Sequence, residues 1–222
     1  MDWSPIWISL KTASVAIGIT FLLGLLIAWR VVRIRSKRIR MIWDGILTLP
    51  MVLPPTVAGF FLLYLLGVKR PIGQFFLDYF GIKIAFSWQA TVIAAVVISL
   101  PLMYRSARGA LEQVDQNLIY AARTLGMSEI QIFFRVLFPN AASGIVSGGV
   151  LAFARGLGEF GATAMIAGNI AGKTRTLPLA VYSEVAAGHM EVAWKYVMVI
   201  VVIAFLAVLL MNMAGNRKSR WE

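Results

Sequence analysis

The sequence predicts an all-α polytopic membrane protein with about five transmembrane helices, N-terminus outside and C-terminus inside. Three observations predict it. Of the 222 residues, 59% are hydrophobic and the mean hydropathy is +0.79, where a soluble globule sits nearer half apolar. The excess is gathered into blocks long enough to cross a bilayer. Most of the basic residues flank those blocks, as expected of inner loops. The net charge of +11 is therefore read as membrane topology and not as a footprint for nucleic acid. The chain has no cysteine, which removes disulfides, thiolate zinc sites and thiol redox centres. Its length suits a single transmembrane domain over 1–222 and leaves nothing for a separate soluble one.

The first span covers about 6–29, with Trp3 and Trp7 as interfacial anchors. Arg30, Arg33, Arg35, Lys37, Arg38 and Arg40 follow it. That dense run places the loop inside. Because it follows the apolar block instead of preceding it, a cleaved signal peptide is not expected. The second span, about 42–66, contains Leu49-Pro-Met-Val-Leu-Pro-Pro-Thr56. Pro50, Pro54 and Pro55 remove backbone donors and force a kink or unwinding. Lipid tolerates this only where protein or a water-filled cavity surrounds it. A packing kink and a break lining a translocation path are both open readings.

An outer connection follows over about 68–85, where Phe75, Phe76, Tyr79 and Phe80 fall near helical spacing and suggest a short interfacial helix. The third span covers about 86–104, with Pro101 near its inner end and Arg105 and Arg108 beyond it. The fourth covers about 141–167. Gly144, Gly148, Ala152 and Gly156 recur there every fourth residue, a ladder of small residues that lets another helix approach closely. Arg155 and Glu159 lie at about mid-membrane depth, spaced to pair on one helix face. Charges there are expensive and mark a functional site; a purely structural pair is the other open reading. An outer segment follows, with a short helix near Leu177–Tyr182 and His189 as an ordinary exposed histidine. The fifth span covers about 194–213, and Arg217, Lys218 and Arg220 close the chain inside.

One inner loop, about 113–139, is built differently. Its stretch Tyr120–Pro139 is polar and breaks at Gly126 into two short helical pieces. Ala121 and Ala122 in the first permit close approach. Ser128 and Gln131 open the second with the spacing of a capping box. Ile130, Phe133, Phe134 and Leu137 form an apolar face, and Pro139 bounds it. The expected product is a helix–Gly–helix elbow that serves as a docking surface for something outside the membrane.

Two nucleotide motifs fail on context. Gly156-Leu-Gly-Glu-Phe-Gly161 matches G-x-G-x-x-G but lies in an apolar helix with no strand before it. Gly168-Asn-Ile-Ala-Gly-Lys-Thr174 is one residue short of a phosphate loop and falls on the outer side. No nucleophile, paired-carboxylate or metal-ligand constellation is visible in the sequence. The chain is expected to be no enzyme and to bind no cofactor or metal itself.

The elbow resembles the cytoplasmic loop of ABC importer permeases. That family carries E-A-A, three residues, Gly, nine residues and I-x-L-P. Here Ala121-Ala122, Gly126 and Pro139 match in register. Tyr120 stands where the family has Glu, so a carboxylate contact to the partner is absent. Leu49–Gly59, Ala154–Gly161 and Gly172–Tyr182 are similar to the molybdate permeases within the molybdate/sulfate/tungstate group.

The resemblance covers nearly the whole chain. It implies a type I, MetI-like permease fold in a bacterial inner membrane. It implies a homodimeric pore and two cytoplasmic ABC ATPase subunits that carry ATP-Mg. It also implies an extracytoplasmic oxyanion-binding protein. Ala121, Ala122, Gly126, Ser128, Glu129, Ile130, Phe133, Phe134 and Pro139 would form the ATPase-coupling loop. Pro50, Pro54, Pro55, Arg155 and Glu159 would line the path or form an intramembrane pair. Sulfate or tungstate permeases, an ion-coupled secondary transporter and a cargo-free membrane scaffold are the alternatives.

Overall fold

The structure is a computed structural model that describes residues 2–216. The described residues are helical, joined by turns and short loops. Arg217, Lys218 and Arg220, expected to close the chain inside, lie outside them. In order the helices are α1 Ser4–Val32, α2 Lys37–Val52, α3 Pro55–Leu66, α4 Pro71–Phe80, α5 Trp88–Glu112, α6 Gln116–Thr124, α7 Glu129–Ile132, α8 Phe138–Leu157, α9 Gly161–Ile166, α10 Leu177–Ala186 and α11 Met190–Asn216. A π turn, Phe133–Leu137, joins α7 to α8.

Four helical stretches are long and apolar enough to cross a membrane, and α2 with α3 makes a fifth if the bent pair counts as one crossing. The outer connection folds as the amphipathic α4, its Phe75, Tyr79 and Phe80 exposed. The short helix expected near Leu177–Tyr182 forms as α10, with Leu177, Leu179 and Ala180 buried.

Helix α5 sits at the centre, packed between α1 and α8. In lipid the contact between helices rests on close packing and on hydrogen bonds more than on expulsion of water. Both appear here. Against α1, hydroxyl pairs bridge the helices: Thr12 Oγ1 to Thr91 Oγ1 at 2.9 Å and Thr20 Oγ1 to Ser99 Oγ at 3.1 Å. Against α8, the small-residue ladder lies on α5. A Cβ at Gly144 would sit 2.7 Å from that of Ala110, and one at Gly148 would sit 2.4 Å from that of Ser106. Ala152, the next rung, is buried.

Two expected spans differ from the helices that form. The span expected over 42–66 is broken: α2 and α3 meet at 107°. Leu53 and Pro54 are extended, with ψ of 143° and 134°. The physical reason is the Pro54-Pro55 pair, because a residue before proline is pushed out of the helical region. Pro50 lies inside α2, which continues through it to Val52.

The span expected over 141–167 is displaced at both ends. Helix α8 stops at Leu157, and Phe160, at φ −122° and ψ −56°, separates it from the short α9. At its other end, α7, the π turn and α8 run as one rod from Glu129 to Leu157. Pro139 therefore does not bound the elbow's second helix; it lies in the first turn of α8. The π turn makes room for it: the Phe138 amide reaches back five residues to the Phe133 carbonyl. The Asn140 side-chain amide donates to Val136 O at 2.7 Å.

Candidate functional site

The elbow forms at Gly126, whose φ is +75°. No atom lies within 4 Å of a Cβ built there. Backbone conformation and not space is what calls for glycine at this position. The amide of Gly126 closes on Arg123 O at 2.9 Å, and that of Met127 on Ala122 O at 3.1 Å. Asp115 caps α6 by accepting from the Asn117 amide at 2.9 Å. Ser128 and Gln131 form the full capping box: Ser128 Oγ accepts from the Gln131 amide at 3.3 Å, and the Ser128 amide donates to Gln131 Oε1 at 2.8 Å.

The residues expected on the elbow divide between two roles. Ala122 is buried against the bundle, while Ala121 is exposed. Ile130 and Phe134 point away from the bundle at 62% and 64% exposure, beside Leu125 at 81%. Phe133, expected on the same outward face, is 7% exposed. Its ring packs against Trp29 of α1 at 4.8 Å between centroids. The physical reason is angular: Phe133 and Phe134 are about 100° apart on a helix, so one faces the bundle when the other faces away.

Glu129 is also tied inward. Its carboxylate lies between Arg123 at 3.0 Å and Arg33 at 3.4 Å, all three at least partly exposed. The elbow is thus clipped to the basic end of α1 by one carboxylate and one aromatic pair. Its outward surface is the apolar ridge Leu125, Ile130 and Phe134, of which Leu125 was missing from the sequence reading.

The second constellation is inside the bundle. Arg155 Nη1 donates to Glu159 Oε2 at 2.8 Å. Glu159 lies past the end of α8, yet its Oε1 accepts from the Ala162 amide at 2.8 Å. One carboxylate thus ends α8 and starts α9. The pair is lopsided: the Glu159 side chain is 1% exposed and that of Arg155 36%. Arg155 opens on a cavity of about 90 Å³ whose other walls are Pro50, Met51, Leu53, Pro55, Ile98 and Leu102. Pro50 and Pro55 therefore meet Arg155 across this cavity. Pro54, exposed at the break, does not line it. The two broken spans interlock beyond it: a Cβ at Gly59 would sit 2.6 Å from Ala162 Cα, and one at Gly161 would sit 3.0 Å from Pro55 Cβ.

A third cluster escaped sequence reading. Asp44 of α2 accepts from Tyr104 and Arg108 of α5, and Glu112 accepts from Arg108 at 2.9 Å and from Arg40 of α2. It binds the stem of the broken span to the central helix at the bundle's basic end.

This architecture matches known proteins closely. The family model described as "Binding-protein-dependent transport system inner membrane component" matches residues 20–220. The molybdenum transport system permease protein ModB of Escherichia coli K12 is 46% identical over 182 residues, covering 82% of this chain and 79% of that one. The ModB protein of Haemophilus influenzae is 35% identical, covering 99% and 96%. The putative molybdenum transport system permease protein YvgM of Bacillus subtilis is 40% identical, covering 92% and 89%.

Among solved structures, the inward-facing MetNI methionine ABC transporter aligns at a TM-score of 0.72 and 22% identity, covering 97% of this chain and 93% of that one. A bacterial alginate ABC importer aligns at 0.74 and 17%, covering 96% and 78%. These structures share its fold. On the family match and the three relatives, the chain belongs to the inner membrane components of binding-protein-dependent transport systems.

Proposed function

We propose that this chain is the membrane-spanning permease subunit of an ATP-driven importer that carries molybdate into the cytoplasm. Two copies form the pore, and an extracytoplasmic binding protein delivers the oxyanion. Two cytoplasmic ABC ATPase subunits, which hold ATP-Mg, dock on the elbow. The likeness to the molybdenum permeases supports the cargo, and the observation that supports ATPase docking is the apolar ridge of Leu125, Ile130 and Phe134, exposed on an elbow that is otherwise clipped to the bundle. A ridge on a rod continuous from Glu129 to Leu157 transmits a push along the helix axis. The rod ends at Arg155 and the broken spans, so movement of the ridge is felt there. Ala122, Gly126, Ser128 and Glu129 hold the elbow's shape, Pro50, Pro55 and Arg155 border the path, and Glu159 lies enclosed behind Arg155.

The test is ATP-dependent molybdate uptake by vesicles holding the permease, its ATPase and its binding protein. Uptake that needs ATP and is preferred over sulfate is the expected result. Gly126→Val sets a branched side chain at φ +75°, which costs about 1–2 kcal/mol locally. The variant is expected to insert normally, to lose at least tenfold in uptake and to release its ATPase on purification. Uptake and ATPase retention unchanged in that variant would remove the docking role from the elbow. Sulfate- or tungstate-preferring uptake would move the cargo within the same group.

A further inference from the structure

We propose that Arg155 is an oxyanion-binding station within the translocation path, and that Glu159 holds it in place while keeping it weak enough to let the anion go. The proposal rests on the importer reading above and deepens it by naming the protein groups the cargo touches.

The geometry of the pair carries it. An enclosed charge is costly unless it is paired and hydrogen-bonded, and the Glu159 carboxylate meets both conditions. Here the carboxylate is enclosed and the guanidinium is not. Both Glu159 oxygens are occupied, one by the Ala162 amide and one by Arg155. A guanidinium has five N–H donors, and among the described residues only Glu159 accepts from Arg155. The remaining donors belong to a side chain that opens on the cavity.

The other cavity walls are apolar side chains and no carboxylate lines it. A cation in such walls exerts a stronger field than in water. Its planar fork matches two oxygens of a tetrahedral oxyanion. The cavity's 90 Å³ leaves room for a small hydrated or partly dehydrated anion beside the guanidinium.

Position completes the argument. The cavity lies beside Ile98 and Leu102, near the middle of α5, and against the Leu53–Pro55 break. A change in the angle between α2 and α3 therefore opens or closes the station itself. Glu159 limits its strength, because a permanently paired arginine offers an arriving anion only part of its charge and donors.

The test uses the complete transporter in vesicles. The chain has no cysteine, so Met51→Cys places a single thiol in the cavity wall. A sulfonate-bearing thiosulfonate reagent is expected to label that thiol at least tenfold faster than its trimethylammonium analogue. Molybdate is expected to slow the labelling, and the added pair Arg155→Gln and Glu159→Gln is expected to abolish both effects. Equal rates for the two reagents, or no protection by molybdate, overturn the proposal.

The double Gln variant also separates a binding role from a packing role, because it removes both charges and leaves no buried carboxylate unpaired. It is expected to assemble and to hydrolyse ATP in response to loaded binding protein, yet to take up molybdate at least tenfold more slowly. Full uptake in that variant overturns the proposal. If the unmodified vesicles take up no molybdate, the importer reading fails instead, and the charge preference at Met51→Cys still reports on Arg155.

Discussion

Two ionic clusters flank the broken span, and they are built on opposite plans. Arg155 and Glu159 lie four residues apart in one short stretch, with the carboxylate enclosed and the guanidinium half open. Arg40, Asp44, Tyr104, Arg108 and Glu112 come from two helices, and their ion-pairing side chains are a fifth to a third exposed. In the larger cluster Asp44, Tyr104, Arg108 and Glu112 each have two partners or more, and only Arg40 at its rim has a single one. In the smaller one the guanidinium keeps donors in hand. The difference teaches what each is suited to. A network of shared partners between two helices is a clamp. A pair with one open partner is a place for a ligand.

The comparison can be broken by removing one arginine from each. Arg155→Ala leaves the enclosed Glu159 without its cation and is expected to cost about 3–5 kcal/mol, read as a lowered Tm of the purified chain. Adding Glu159→Ala should recover the part of that loss due to the unpaired carboxylate, less about 0.5–2 kcal/mol for the lost cap on the Ala162 amide. A single variant that melts like the parent would show that the pair does not hold α8 to α9.

Arg108→Ala removes the hub of the clamp but leaves its acidic partners in reach of water. About 1–2 kcal/mol is expected, together with a broader distribution of spin-label distances between α2 and α5. An unchanged distribution would show that the clamp does not fix the stem of the broken span. Arg40→Ala touches only the rim through Glu112. Its effect should stay below about 1 kcal/mol and fade with added salt. If instead it exceeds that of Arg108→Ala, the cluster is organised around Glu112 and not around Arg108.

The elbow shows how far a local signal reaches. The Ser128/Gln131 spacing and the glycine at 126 express backbone needs within a few residues, and both formed as the sequence implied. Which apolar residue faces outward did not follow from the same stretch. Phe133 and Phe134 are chemically alike, and only the arrival of Trp29 decides that Phe133 turns inward. The role of Glu129 was hidden for a similar reason, since one of its two arginines, Arg33, belongs to α1. The larger ionic cluster left only faint traces: Arg40 and Asp44 on one helix, and Tyr104, Arg108 and Glu112 on another, each set at intervals of four. Such stripes also occur on ordinary solvated faces, and nothing in either one names the other as its partner.

By itself the sequence determined the helical class, the blocks that can cross a membrane, the glycine elbow with its cap, and the Arg155–Glu159 pair. Each rests on local composition or on a spacing of a few residues, where chain geometry leaves little choice. Tertiary structure alone decided the 107° bend at the paired prolines, the continuous rod from Glu129 to Leu157, and the meeting of Pro50 and Pro55 with Arg155 across one cavity. Proline forbids a conformation without naming the angle that replaces it. That angle is set where Gly59 and Gly161 let α3 and α9 come into contact, an approach between residues about a hundred positions apart.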